Sequence, residues 1–380
     1  MGTFKRIIIF SFLLILVSSI SFAIPAFARK YGFSCEVCHA PIPHLKEFGE
    51  EFMANGYQIP DKEPTRAYRD TGDPILLLQR ELPLAIRFDG YLSYEPNSEI
   101  TSDIKAPYVM KILSGGNISK SISYYTYFLL TEEGKVGLED GYLSFNNVFN
   151  LPVSIVFGQY RVSDPIKPSE LRMTFEDYKI YKFKVGESSA NLSYDRGIMA
   201  TLTTKIGTEI VLQIVNGSGI DTPEVFDNDK YKNFSWRIAQ SFENLKVGLT
   251  GYLGKEEKNG NFNNLSYLGP DIKIKTPKIE ALIQFLQRWD TNPLFQKEGK
   301  KLRSEAWLGE VIFSPYGENG RLFFVFLYNR LRSQFNPIDY QRAVFNVSYL
   351  IRRNLKWMNE FSYDLDGDKH KFATGFVVAF

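Results

Sequence analysis

The chain is short of cysteine and histidine, with two and three among 380 residues. A disulfide framework or a zinc site therefore has almost no raw material. The two cysteines lie too close for an unstrained disulfide, and zinc would have to recruit from His44 and His370. Past the N-terminus no stretch reaches the ~18 consecutive apolar residues of a spanning helix. Membrane insertion would then need a closed β-barrel, the other structure that satisfies its backbone in lipid. Excess charge is missing too, with 45 Lys and Arg against 43 Asp and Glu. The two kinds become equal once Lys5 and Arg6 leave with an N-terminal leader, which points away from nucleic acid.

What is present begins with that leader. Residues 1–28 read as an export signal, with Lys5 and Arg6 ahead of an apolar core from Ile7 to Val17. Ala26-Phe27-Ala28 fits the cleavage rule. Export would place the rest of the chain where c-type haem is attached in bacteria.

Both cysteines fall in Cys35-Glu36-Val37-Cys38-His39, the C-x-x-C-H spacing of covalent haem attachment. Two thiols add to the haem vinyl groups, and the adjacent histidine binds the iron axially. One covalently bound haem c is the expected cofactor, on Cys35 and Cys38 with His39 as iron ligand. Residues 29–59 are the expected haem segment. Pro41 and Pro43 keep it extended, and a helix is predicted from His44 to Ala54. Leu45, Phe48 and Phe52 share one face with Gly49, where a flat group could come close. Asn55-Gly56 is a stop signal. That face either packs on a barrel mouth or covers one side of the haem. Met53, on its flank, is the candidate sixth ligand; ordinary packing, an open site or a ligand from another chain are the alternatives. Met110, Met173, Met199 and Met358 belong to the strand region. His44 is too near His39 to reach the opposite haem face, so solvent exposure or a propionate contact is expected. His370 is expected at an outer loop.

Residues 60–82 read as a linker punctuated by Pro60, Pro64 and Pro74, with Ile75-Leu76-Leu77-Leu78 as a short helix or a segment docked at a rim. From 83 to 380 segments of roughly ten residues alternate between turns, the weak signature of an outer-membrane barrel. Leu245, Val247, Leu249 and Gly251 alternate with Lys246, Gly248, Thr250 and Tyr252. Phe372, Thr374, Phe376, Val378 and the terminal Phe380 share a face, resembling the signal read by the barrel assembly machinery. Strands are placed near 83–95, 106–115, 119–131, 136–146, 152–161, 178–186, 189–195, 197–205, 208–217, 231–241, 245–255, 264–275, 278–289, 303–314, 321–332, 339–350, 354–365 and 370–380. A tight turn at Asp195-Arg196-Gly197 keeps the count even. The fold class is all-β, a transmembrane antiparallel barrel of about 18 strands within a range of 16–18, with a small helical N-terminal segment. The long connections 96–105, 162–177, 218–230, 256–263 and 290–302 fall at one end, and the short ones at the other. A soluble sandwich would need polar outward faces. Phe323, Val325 and Leu327 on one face, with Phe324, Phe326 and Tyr328 on the other, argue against it. The connection 162–177 carries Asp164, Lys167, Glu170 and Arg172, and an inward fold would make these a charged constriction.

The run CHAPIPHLKEFGEEFMANGY resembles bacterial porin-type cytochromes, in which one c-type haem unit is fused to a porin-like outer-membrane barrel. Their pattern is similar to C-H-x-x-x-P-x-L-x-x-F-G-x-x-F-x-x-N-G-Y. It maps onto Cys38, His39, Pro43, Leu45, Phe48, Gly49, Phe52, Asn55, Gly56 and Tyr57. GQYRVSDP, LRMTFEDYKIY and LSYDRG look like a second block of that family. The resemblance speaks to architecture more than to role.

The expected function is electron transfer, by an outer-membrane cytochrome-porin whose haem sits at the periplasmic mouth. Its partners would be periplasmic or outer-membrane cytochromes, outer-membrane lipid and the assembly machinery, with a homo-oligomer open. One haem does not cover the ~30 Å hydrocarbon thickness, so conduction across the membrane would need another cytochrome. The alternative is a porin for small solutes in which the haem gates or supports the channel. A haem enzyme is a third reading, but the sequence supplies no acid–base set near the motif, and the chain is not read as an enzyme.

Overall fold

A computed structural model describes residues 26–59, 68–96, 98–132, 135–220 and 225–380. Most of the expected leader, and residues 60–67 of the linker, lie outside the described residues.

Sixteen antiparallel strands close into one barrel. In chain order they are β1 (Leu84–Tyr94), β2 (Ser102–Asn117), β3 (Ile122–Glu132), β4 (Lys135–Phe145), β5 (Val153–Arg161), β6 (Tyr194–Thr203), β7 (Thr208–Val215) and β8 (Asn233–Phe242). Then come β9 (Leu245–Lys258), β10 (Asn261–Lys275), β11 (Ile279–Asp290), β12 (Leu302–Phe313), β13 (Leu322–Ser333), β14 (Tyr340–Arg352), β15 (Leu355–Asp364) and β16 (Lys369–Ala379). The ring closes where β16 pairs with β1, from Phe372↔Tyr94 to Ala379↔Arg87. Closure leaves no edge strand, which is what lets a sheet stand in hydrocarbon.

The alternation expected from sequence is realised. Leu245, Leu249 and Leu253 on β9 are exposed while Thr250 and Tyr252 between them are buried. Phe372 and Phe376 of β16 point outward, 44% and 48% exposed. Exposed Phe, Trp, Leu and Ile side chains recur on strand after strand. An exterior of that area and apolarity suits lipid rather than water.

The strand count of sixteen is the lower bound of the expected range, and one region explains the difference. Segments 178–186 and 189–195 are not a pair of strands: Lys179–Lys182 is a helical turn, and 183–193 is irregular. Asp195, Arg196 and Gly197 lie inside β6 instead of forming a turn. Removing two strands preserves the parity that motivated the turn. The chain 162–193 is thus one long connection, longer than the 162–177 expected. The connection expected over 256–263 is instead a tight turn, because β9 and β10 stay paired out to Lys258↔Asn261.

The remaining connections sort by end. One end carries the turns at 204–207, 243–244, 276–278 and 353–354, and we call it the turn end. The loop end carries 162–193, 216–232 and 291–301. His370 lies near the loop end at the start of β16, as expected. In the linker, Leu78–Gln79 pairs with Tyr68–Arg69 rather than forming a helix. Gln79 docks on the β2 rim by donating to the Asn117 carbonyl at 2.9 Å.

Candidate functional site

The segment ahead of the barrel lies across the mouth at the turn end. It begins with helix α1 (Ala26–Tyr31) and ends with helix α2 (Glu47–Ala54). Between them, Cys35–Val37 forms a single 3-10 turn capped by Ser34. The amides of Cys38 and His39 donate to the Cys35 carbonyl at 3.2 and 2.9 Å. A helical turn brings positions i, i+3 and i+4 to one side, so Cys35, Cys38 and His39 share a face. Both thiols are free, Cys38 buried and Cys35 partly exposed. Burial pushes the Cys38 thiol up to about 11.

The His39 ring has a defined polarity. Its Nδ1 lies 3.1 Å from the Pro43 carbonyl oxygen and 3.3 Å from that of His44. Carbonyl oxygens only accept, so Nδ1 carries the proton and the Nε2 lone pair is left for a metal. Burial lowers the imidazole to about 4, against the raising effect of the two carbonyls, and keeps it neutral at pH 7. A neutral imidazole with an oriented Nδ1–H and two thiols on the same face would suit a covalently held haem. Among the described residues no cluster of three or more His, Cys, Asp or Glu is arranged to hold a bare metal ion.

Aromatic rings join α1, the motif and α2. Past the expected cleavage point, Tyr31 stacks on Phe33 at 5.6 Å and lies edge-on to Phe52 at 5.5 Å, and Phe52 lies edge-on to Tyr57 at 6.0 Å. The series passes into the wall, where Tyr57 stacks on Tyr125 of β3 at 4.6 Å. Gly56, at φ +69°, makes this docking possible: a Cβ there would collide with Ser123 and Asn146. Gly49 has a different role from the one expected. The group that comes close is the Cys38 carbonyl, into which a Cβ on Gly49 would run. Met53 is partly buried, one position past Phe52 on α2.

Polar contacts fix the plug around the rim. Glu36 pairs with Arg353 in the β14–β15 turn at 2.9 Å, and Lys46 donates to Asn319 in the β12–β13 turn at 2.5 Å. Glu50 pairs with Lys273 of β10 at 3.0 Å, and Asn117 of β2 donates to Gln58 at 2.6 Å. His44 departs from expectation. It is neither solvent-exposed nor free for a propionate, because it is buried with Nε2 2.8 Å from Glu280 of β11.

The long connection enters the lumen from the other end. Lys167 lies between Glu280 (3.2 Å) and Glu310 of β12 (3.1 Å). Glu310 also accepts from the Tyr178 hydroxyl at 2.5 Å. Plug and loop therefore meet on one carboxylate, His44 on one oxygen of Glu280 and Lys167 on the other. Glu170 accepts from Lys111 of β2 at 2.9 Å and lies 3.5 Å from Arg161. Arg172 is buried and donates to the Ser169 carbonyl at 3.2 Å. Asp164 is partly buried, and burial pushes its carboxyl up to about 7 despite nearby Arg161.

The loop also builds an apolar core inside the barrel. Tyr178, Ile180, Tyr181, Phe183, Val185 and Leu192 pack against inward residues including Leu282, Leu286, Leu308 and Leu327. Met173, fully buried, packs with Phe323, Val325, Ile312 and Leu350. This explains why β13 is apolar on both faces: one meets lipid and the other meets the loop. From sequence that double-sided pattern spoke only against a soluble sandwich; it also marks the wall that an inward loop covers. Glu280, Glu310, Tyr178 and Tyr181 had no such signal, since strand partners 100 or more residues away are invisible to local spacing.

No protein-family model matches the chain, and no curated protein matches it. Solved structures do match the fold. The anion-selective porin from Comamonas acidovorans has a TM-score of 0.59 at 8% identity, over 79% of this chain and 99% of that one. Outer-membrane-expressed OmpT of Vibrio cholerae gives 0.55 at 10% identity, over 78% and 97%. The outer membrane channel DcaP of Acinetobacter baumannii gives 0.56 at 11%, over 79% and 97%. The chain has a porin-like 16-stranded barrel fold.

Proposed function

We propose that this protein is an outer-membrane channel of porin type, whose periplasmic mouth is held by a haem-bearing plug coupled to the lumen loop. The observation that carries this reading is Glu280, which holds His44 of the plug at 2.8 Å and Lys167 of the loop at 3.2 Å. Cys35 and Cys38 would hold the haem covalently and His39 Nε2 would ligate its iron. Such a group supplies one-electron exchange between Fe(III) and Fe(II). The chain's part is to orient His39 through the Pro43 and His44 carbonyls and to brace the segment on the rim. A shift of the 40–44 backbone would pass through His44 to Glu280 and Lys167. Asp164, Lys167, Glu170 and Arg172 would set which small ions pass.

Single-channel conductance, compared between oxidised and reduced protein and with Glu280→Gln, tests the reading. Gating predicts a redox-dependent conductance that Glu280→Gln uncouples. Identical traces in all states would remove the gating role and leave the haem as a structural element.

A second reading, electron transfer with periplasmic cytochromes, is favoured by Phe48 of α2, which is exposed and meets Phe33 edge-on at 6.2 Å. It predicts reversible reduction of the purified protein by such cytochromes in stopped flow. No reduction by any of them would end it. Met53 stays the proposed sixth ligand; a Met53→Ala variant with an unchanged reduced spectrum would dismiss it.

A further inference from the structure

One row of side chains on the exterior wall, close to the loop end, leaves a hollow. Leu253, Ser266, Trp289 and Arg303 are successive cross-strand partners on β9, β10, β11 and β12. Leu253 and Trp289 stand out from the wall on either side of the small Ser266. The resulting groove has a volume of about 470 Å³ and is bordered by Lys301 and Gln334. Its floor is mostly apolar and its upper lip is basic.

The charge there is concentrated. Several other cations at the loop end have acidic partners, such as Lys230 with Glu257 at 3.3 Å, Arg332 with Asp366 at 2.6 Å and Lys371 with Glu95 at 3.0 Å, while exposed Lys369 has none among the described residues. Lys297, Lys300, Lys301 and Arg303, all exposed, have no ion pair among the described residues. Asp290 also lines the groove, but its carboxylate is taken by Arg288 at 2.7 and 2.8 Å. The opposing charges are Glu298 on the loop and Glu305, one row nearer the barrel centre on β12.

We propose that this groove binds the phosphate-bearing headgroup of a lipid in the surrounding leaflet. Lys301 and Arg303 would meet the phosphate, and the Trp289 ring would lie against the sugar or glycerol part, at the depth where tryptophans collect in membrane proteins. The acyl chains would continue down the wall over Phe285 and Trp307, whose rings lie 4.6 Å apart. Lipid is favoured over a soluble anion because the groove opens on the apolar exterior and not toward the lumen.

The test is native mass spectrometry of full-length, detergent-purified protein with a diphosphoryl glycolipid, its dephosphorylated form and inorganic phosphate as probes. The expected result is a retained diphosphoryl lipid, bound roughly tenfold less tightly when its phosphates are removed or in the Lys301→Gln/Arg303→Gln double variant. Ser266→Leu fills the hollow without touching the charges and should weaken binding similarly. Heat-modifiable gel migration confirms that each variant is folded. Equal binding of all variants, or competition by inorganic phosphate as effective as the lipid, would overturn the proposal.

Discussion

Two residues decide how the motif is held, one by lacking a side chain. Gly49 is where α2 crosses the Cys38 carbonyl. Gly49→Ala forces the two apart, at about 1–3 kcal/mol for the overpacked contact. Haem content per barrel, measured by absorbance against protein mass, should fall while the barrel still folds. Glu280 is the second. Glu280→Gln keeps the shape but removes the charge that His44 and Lys167 share, weakening plug docking by about 1–3 kcal/mol. Faster proteolysis of residues 29–59 at unchanged barrel melting checks this. At this scale the sequence was readable where chemistry is local. The C-x-x-C-H spacing puts Cys35, Cys38 and His39 on one helical turn, and the structure has that turn. His44 was misread because its partner lies 236 residues away on β11.

The elements differ in how openly they announce themselves. Strands such as β9 and β16 alternate cleanly because lipid and lumen ask for different side chains. The loop 162–193 mimicked two strands because its Tyr181, Phe183 and Val185 are apolar at every second position. They serve an internal core, and nothing local separates that from a wall. Tyr181→Ala should undock the loop, at about 3–5 kcal/mol for a buried aromatic, leaving the barrel intact. The expected readout is noisier and larger single-channel conductance, with new protease cuts between 175 and 190. Unchanged conductance would mean that the loop does not limit the passage.

For the whole molecule, plug and wall are separable. Only the barrel is closed by its own hydrogen bonds, so a variant lacking residues 29–59 should still assemble. It should show heat-modifiable migration and a higher conductance than the full chain; failure to assemble would make the plug part of the folding core. The porin-like fold was legible from the alternation along the strands, while the exact strand number was not. The burial of Cys38 beneath α2 has a consequence for biogenesis. Any enzyme that joins porphyrin to that sulfur needs it uncovered, and the finished protein covers it. If that sulfur carries a porphyrin, as proposed, the cofactor would be attached while residues 29–59 are still extended, before the cylinder zips shut, and maturation would run in a fixed order, with ligation ahead of insertion.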